Sequence, residues 1–112
     1  MTGFQKTDAS LLADAFSRRV KTYVACASLV SDDGYYGADQ IRLLLRRMFR
    51  GRETVDFRIL APASRVRPDG LAVLSAQWAY REPGSPHTEL RLFFSVGPEG
   101  DAWRVREIRD LK

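Results

Sequence analysis

One cysteine, Cys26, and one histidine, His87, are all that the 112 residues contain of either type. A single cysteine excludes an internal disulfide and any multi-cysteine metal site, and a single histidine excludes a His-rich zinc site. No apolar run approaches the roughly 20 residues a spanning helix needs, and the opening MTGFQKTDAS lacks the apolar stretch of a signal peptide. There is no Gly-rich phosphate loop, no recognised nucleic-acid motif, no internal repeat and no linker. These absences predict a soluble, cytoplasmic protein with no cofactor, no metal and no membrane partner.

What remains is ordinary globular material, with 45% hydrophobic and 29% charged residues. The length predicts a single domain over residues 1–112, one that buries about two-thirds of its unfolded surface without covalent staples. The net charge of +4 is concentrated. Residues 41–58 carry Arg42, Arg46, Arg47, Arg50, Arg52 and Arg58 against Glu53 and Asp56, so this window alone supplies +4.

The stretch Glu89–Asp110 holds two runs with strand alternation around Gly97-Pro98-Glu99-Gly100-Asp101, five residues of turn character. A hairpin of this kind exposes an apolar surface, and the residues before it read as its cover. Residues 6–31 predict one long helix or two joined end to end, with Thr7 as cap and Asp8 in the first turn. Leu12, Phe16, Val20, Tyr23, Val24 and Ala27 recur at helical spacing. The second half, VKTYVACASLV, has the β-branched content of a strand, but the unbroken spacing favours helix. Ser31-Asp32-Asp33-Gly34 ends this unit and Tyr35-Tyr36-Gly37 is a short extended piece. Residues 38–50 are the clearest helix, with Ile41, Leu44, Leu45, Met48 and Phe49 on one stripe and Gly51 as the stop.

From Glu53 the period changes to 2, with Val55, Phe57, Ile59 and Ala61 on one side. Turns at Pro68-Asp69-Gly70 and Glu82–Pro86 separate strands 71–81, 88–96 and 103–109. The predicted architecture is α+β: N-terminal helices packed on a curved four-stranded antiparallel sheet, with a short extra strand. Neither sheet face is polar throughout. Residues 71–81 place Ala72, Leu74, Ala76, Trp78 and Tyr80 on one side, and Leu71, Val73, Ser75, Gln77 and Ala79 on the other. Two helices cover one face only, which predicts a homodimer through the outer sheet face.

Leu29–Gly37, then Ile41–Phe49, then Gly100–Arg109 with its Gly-Asp-Ala-Trp-Arg-Val-Arg-Glu-Ile-Arg ending, taken in that order, resemble the NTF2-like superfamily. The similarity is to its small SnoaL-like and ketosteroid-isomerase-like bacterial members. It implies a cystatin-like cone whose helices and curved sheet enclose a mostly apolar pocket, in a protein that dimerises through the sheet. The chain departs from that pattern where both helices are compressed into residues 7–31 and the first strand into Tyr35-Tyr36, which implies a small or filled cavity.

Isomerase-like members use a pocket carboxylate as base and a tyrosine or protonated acid opposite it, a pairing that needs a desolvated carboxyl group facing an apolar cavity. On that resemblance Tyr23 is the candidate donor and Asp32 or Asp33 the candidate base, although Asp32-Asp33-Gly34 is equally ordinary helix-ending chemistry. Glu107 is the third candidate carboxylate. Strict alternation from Trp103 and Val105 turns it inwards, whereas a β-bulge between Arg106 and Ile108 turns it out and Ile108 in. Tyr23, Tyr35, Trp78, Tyr80, Phe93 and Trp103 are the candidate lining of a site for a flat apolar ligand, or plain core residues.

Asp56, Arg58, Gln77 and Arg91 read as cross-strand polar pairs on an outer face. His87 at a hairpin end reads as solvent-exposed, and Cys26 as a small core residue and not a nucleophile. Arg42, Arg46 and Arg50 form an i, i+4, i+8 row that could track phosphates, but their place near a helix C-terminus and the neighbouring acids argue against nucleic acid. Three functions are compatible: a dimeric domain holding a small apolar molecule in the cone, an acid–base enzyme (isomerase, hydratase or cyclase), and a structural interaction module with a filled core.

Overall fold

The computed structural model describes residues 2–6, 8–27, 29 and 33–111, and all of their side chains except those of Thr2, Phe4, Ser10, residues 61–66 and Leu111. Nine elements follow in order: helices α1 (Thr2–Gln5) and α2 (Ala9–Ala13), strands β1 (Thr22–Ala25) and β2 (Gly34–Tyr36), helix α3 (Ala38–Phe49), and strands β3 (Glu53–Val66), β4 (Ala72–Arg81), β5 (Thr88–Glu99) and β6 (Ala102–Leu111). The strands form one mixed sheet in the order β2-β1-β6-β5-β4-β3. Its right-hand part, β3 to β6, is the expected antiparallel meander.

The N-terminal third corrects the sequence reading. Residues 6–31 are not a continuous helical unit, and Thr22–Ala25 is a strand that pairs parallel to β6 (Tyr23 with Glu107, Val24 with Ile108) and antiparallel to β2. One feature fixes the start of α2 and two stop it early. Asp8 caps α2 by accepting the Leu11 amide at 3.0 Å; Thr7, the expected cap, lies outside the described residues. The Ser17 hydroxyl accepts the amides of Arg19 and Val20 at 3.3 and 3.1 Å, taking N–H groups a helix would have used. The Phe16 backbone then bridges to Val105, and the carbonyl of Val105 takes the Ser17 amide at 2.9 Å. Thr22, Val24 and Cys26 are buried, so period 2 fits the segment as well as period 3.6 did, and β-branched content decides for strand.

Helix α3 forms as its sequence dictates. Gln40 Oε1 accepts the Gly37 amide at 2.9 Å at its start, and Ile41, Leu44, Leu45, Met48 and Phe49 are all buried. Arg52 Nη1 closes the other end on the Met48 carbonyl at 2.7 Å, past a left-handed Gly51. That buried stripe, with Leu12 and Phe16, packs on Phe57, Ala76, Trp78, Tyr80, Leu90, Leu92, Phe94, Val105 and Ile108 from the sheet. Trp78 anchors this core, its Nε1 donating to Thr54 Oγ1 at 2.9 Å with Phe49 edge-on at 5.7 Å.

Two irregularities set the facing of β3 and β6. A register shift at Val55 leaves that residue 49% exposed while Phe57 turns inwards opposite Trp78. The β5–β6 hairpin closes on the two residues Gly100-Asp101, with Glu99 opposite Ala102, so β5 continues through the stretch expected to be a five-residue turn. Along β6, Val105 pairs with Val96 and Glu107 with Ser95, which leaves Arg106 as the extra residue of a β-bulge. Val105 and Ile108 are therefore both buried.

Candidate functional site

The space between α3 and the sheet is occupied. Trp78, Phe16, Phe94, Met48, Leu45 and Ile41 are each at most 1% exposed and fill it. Among the described residues, two concavities stand out beyond this core. A groove of about 660 Å3 is lined by Gly51, Arg52, Glu53 and Arg81–Ser85, where the end of α3 meets the β4–β5 turn. Arg52 dominates it, with its guanidinium 5.4 Å above the Tyr80 ring and its Nε facing Glu82 at 3.9 Å. A second hollow of about 210 Å3 lies beside α3, lined by Tyr36, Gln40, Leu43, Leu44 and Arg47.

The bulge at Arg106 places Glu107 on the outer face. Its Oε2 accepts from Arg67 Nη1 at 3.1 Å and Ser95 Oγ at 3.0 Å, with Arg109 Nε at 3.6 Å; Arg67 Nη1 also reaches Ser95 Oγ at 3.2 Å. Arg67 is held from its other side by Asp69 at 2.8 Å. Glu107 is thus engaged through Oε2 by cations and a hydroxyl on the outer face.

The six candidate lining aromatics do not converge. Trp78 and Tyr80 belong to the buried face, with ring centroids 4.5 Å apart. Tyr23, Tyr35 and Phe93 stand on the outer face through their register with Glu107, Tyr23 and Ser75. Tyr23 lies between the Tyr35 ring at 5.1 Å and the Arg109 guanidinium at 5.1 Å. Trp103, expected to face inwards with Val105, is 60% exposed at the hairpin end, beyond the reach of the core. Of the candidate bases beside Tyr23, Asp33 is exposed and Asp32 lies outside the described residues. Of the polar strand residues, Arg91 pairs across strands with Gln77 at 3.3 Å as expected, whereas Arg58 pairs at 3.0 Å with Asp56 of its own strand.

His87 is exposed, 3.9 Å from Glu89. Cys26 is fully buried with its thiol directed at the Ile108 carbonyl at 3.8 Å; burial first, then the charges of Asp110 and Asp33, push its pKa up to about 12. Such a thiol is not a nucleophile at neutral pH.

No protein-family model matches the chain, and no curated protein does. Solved structures do match, at low identity and over nearly the whole length. A DUF4783 family protein from Bacteroides uniformis superposes with a TM-score of 0.77 at 10% identity, covering 99% of this chain and 91% of its own. An NTF-2 like protein of unknown function from Shewanella oneidensis gives 0.69 at 8% identity, covering 97% and 87%. The fold is NTF2-like. A putative calcium/calmodulin dependent protein kinase II association domain from Xanthomonas campestris also shares it, with a TM-score of 0.68 at 10% identity over 97% of this chain and 76% of that one.

Within this NTF2-like frame the sequence reading passed over one buried carboxylate, Glu99. It accepts from Ser17 Oγ at 2.6 Å and the Arg18 amide at 3.0 Å, and Arg104 Nε lies 3.5 Å away. The hydroxyl, then the amide, then the nearby Arg19 and Arg104 charges hold its pKa below the usual carboxylate range. Glu99 holds the hairpin to the segment leading into β1, a structural role. The signal that would have found it is the Gly100-Asp101 pair, a two-residue turn that extends β5 to Glu99.

Proposed function

We propose that residues 1–112 act as one non-catalytic NTF2-like association domain that pairs with a second copy through the outer face of its sheet. The observation that carries this reading is the composition of that face. Its middle is mostly small or apolar, with Val73, Ser75, Ala79 and Phe93 buried or half-buried, and most of its charges are matched within the chain: Asp56 with Arg58 on one side, Arg67 and Arg109 with Glu107 on the other, while Arg91 is held only by the neutral Gln77. Charges paired within the face can be covered without stranding an ion, the condition that makes burial of charge tolerable, and Arg91 is left for the partner to accommodate. Four strands about 4.8 Å apart and roughly ten residues long at ~3.3 Å each present about 600 Å2 before side-chain relief, close to the ~800 Å2 per partner of a standard interface.

The filled interior supports the absence of chemistry in this reading. Isomerase-type catalysis needs a carboxyl group turned into an apolar cavity with a donor opposite. Among the described residues, Glu99 is hydrogen-bonded through both oxygens, Glu107 is tied to Arg67 and Ser95 on the outer face, Asp33 is exposed and Tyr23 is on the outer face. The structural neighbour named as an association domain lends the assembly reading a precedent of fold alone.

Sedimentation at micromolar concentration tests it, together with a thermal-shift screen of lipophilic compounds. A dimer without stabilising hits is the expected result; a monomer, or a compound that stabilises the fold and inserts beside Trp78, overturns the reading.

A further inference from the structure

Helix α3 carries its buried stripe against the sheet and turns a different surface to solvent. Arg42, Arg46, Arg47 and Arg50 are all exposed there, against a single acid, Asp39, in the first turn. None of the four has an ion-pair partner among the described residues. Six arginines elsewhere, Arg18, Arg52, Arg58, Arg67, Arg104 and Arg109, are each matched to a carboxylate. Attraction to the helix C-terminus accounts for Arg46, Arg47 and Arg50 but not for Arg42, which stands too far from that end to feel it. Amid these charges Leu43 is 57% exposed, although its helix has a well-filled apolar side of its own. Leu43 also forms one wall of the 210 Å3 hollow, with Tyr36 and Leu44 apolar beside it and Arg47 and Gln40 at its polar margin.

From this combination we infer that the exposed face of α3 is a docking surface for an acidic peptide segment bearing one apolar anchor side chain. The hollow is too small for a cofactor-sized ligand, whose sites run to roughly 300–1,000 Å3, and suits a single side chain. Arg42, Arg46 and Arg50 follow one another at successive turns, about 6 Å apart along the axis. Carboxylates on one side of an extended segment repeat at about 6.6 Å, close enough for flexible arginines to match. A phosphate backbone would use the arginine row and leave the Leu43 hollow empty, so the apolar element favours a peptide. The surface is on the opposite side of the molecule from the outer sheet face, and the inference stands whether or not the sheet pairs.

The test uses fluorescence anisotropy with the full chain and three labelled probes: a short peptide of glutamates flanking one phenylalanine, the same peptide with alanine in that place, and single-stranded oligothymidine. Saturable binding of the phenylalanine peptide that weakens as salt rises is expected, with the alanine peptide about tenfold or more weaker. The double variant Arg42→Glu, Arg46→Glu should abolish binding. Leu43→Ser should bring the phenylalanine peptide down to the affinity of the alanine one. All three side chains are exposed, and an unchanged thermal melt confirms that the variants fold. Equal affinity for the two peptides, indifference to Leu43→Ser, or tighter binding of the oligonucleotide through Arg42 and Arg46 would overturn the inference.

Discussion

The Ser17 hydroxyl donates to Glu99 Oε1 across 2.6 Å, joining residues 82 apart in sequence. The contact ties the β5–β6 hairpin to the segment that leads from α2 into β1, and so fixes where the N-terminal helix gives way to strand. Its consequence for stability has a definite sign. The folded state holds the Glu99 pKa below its unfolded value, so its contribution is present above the ordinary carboxylate range and is lost as pH falls through the folded pKa. Thermal melts between pH 7 and pH 3 should show a steeper acid loss for the wild type than for Glu99→Gln, which should already be less stable at pH 7. Identical acid limbs would remove this role from Glu99.

The two tryptophans should behave oppositely. Trp78 is fully buried and hydrogen-bonded, and Trp78→Ala is expected to cost about 3–5 kcal/mol. Trp103 is mostly in water, and Trp103→Ala should cost less than about 1 kcal/mol. Urea unfolding of the two variants, read by circular dichroism, checks both. A large cost at Trp103 would mean that the hairpin end is packed.

Cys26 should resist thiol reagents. With its pKa pushed up to about 12 by burial and the nearby carboxylates, the native thiol should stay unmodified by Ellman's reagent at pH 8 and react when the chain is unfolded in guanidinium. The linkage sign follows: the raised folded pKa gives a contribution present below the unfolded pKa of about 8.5 and lost as pH rises above it. Rapid labelling of the native protein would place the thiol at the surface.

What could be read from sequence was what local signals determine. Helix α3 carries its stripe, its first-turn acid and its Gly51 stop within residues 38–51, and it forms where expected. Strands β3 to β6 announce themselves by alternation and by turn residues. Thr22–Ala25 was misread as helix because 3–4 spacing and alternation coincide over so short a run, and the partner that decides, β6, lies far along the chain. Glu107 was undecidable for the same kind of reason. Alternation from Trp103 to Glu107 looks regular, and only the register against β5 makes Arg106 the extra residue. The pocket inferred from aromatic residues failed to assemble because sheet facing divides them, Trp78 and Tyr80 on one side and Tyr23, Tyr35 and Phe93 on the other.

The arginine face of α3 was legible as charge but not as a surface. The i, i+4, i+8 spacing of Arg42, Arg46 and Arg50 is in the sequence, whereas the exposure of Leu43 and the hollow beside it are products of the fold.

The outer sheet face is the centre of the functional reading, and Phe93 is its most telling residue, half-buried on that face opposite Ser75 and Arg109. Sedimentation velocity of the wild type and of Phe93→Glu at matched micromolar concentrations is the most direct measurement. A dimer for the wild type and a folded monomer for Phe93→Glu are expected. A wild-type monomer, or a dimer that survives Phe93→Glu unchanged, would contradict association through this face.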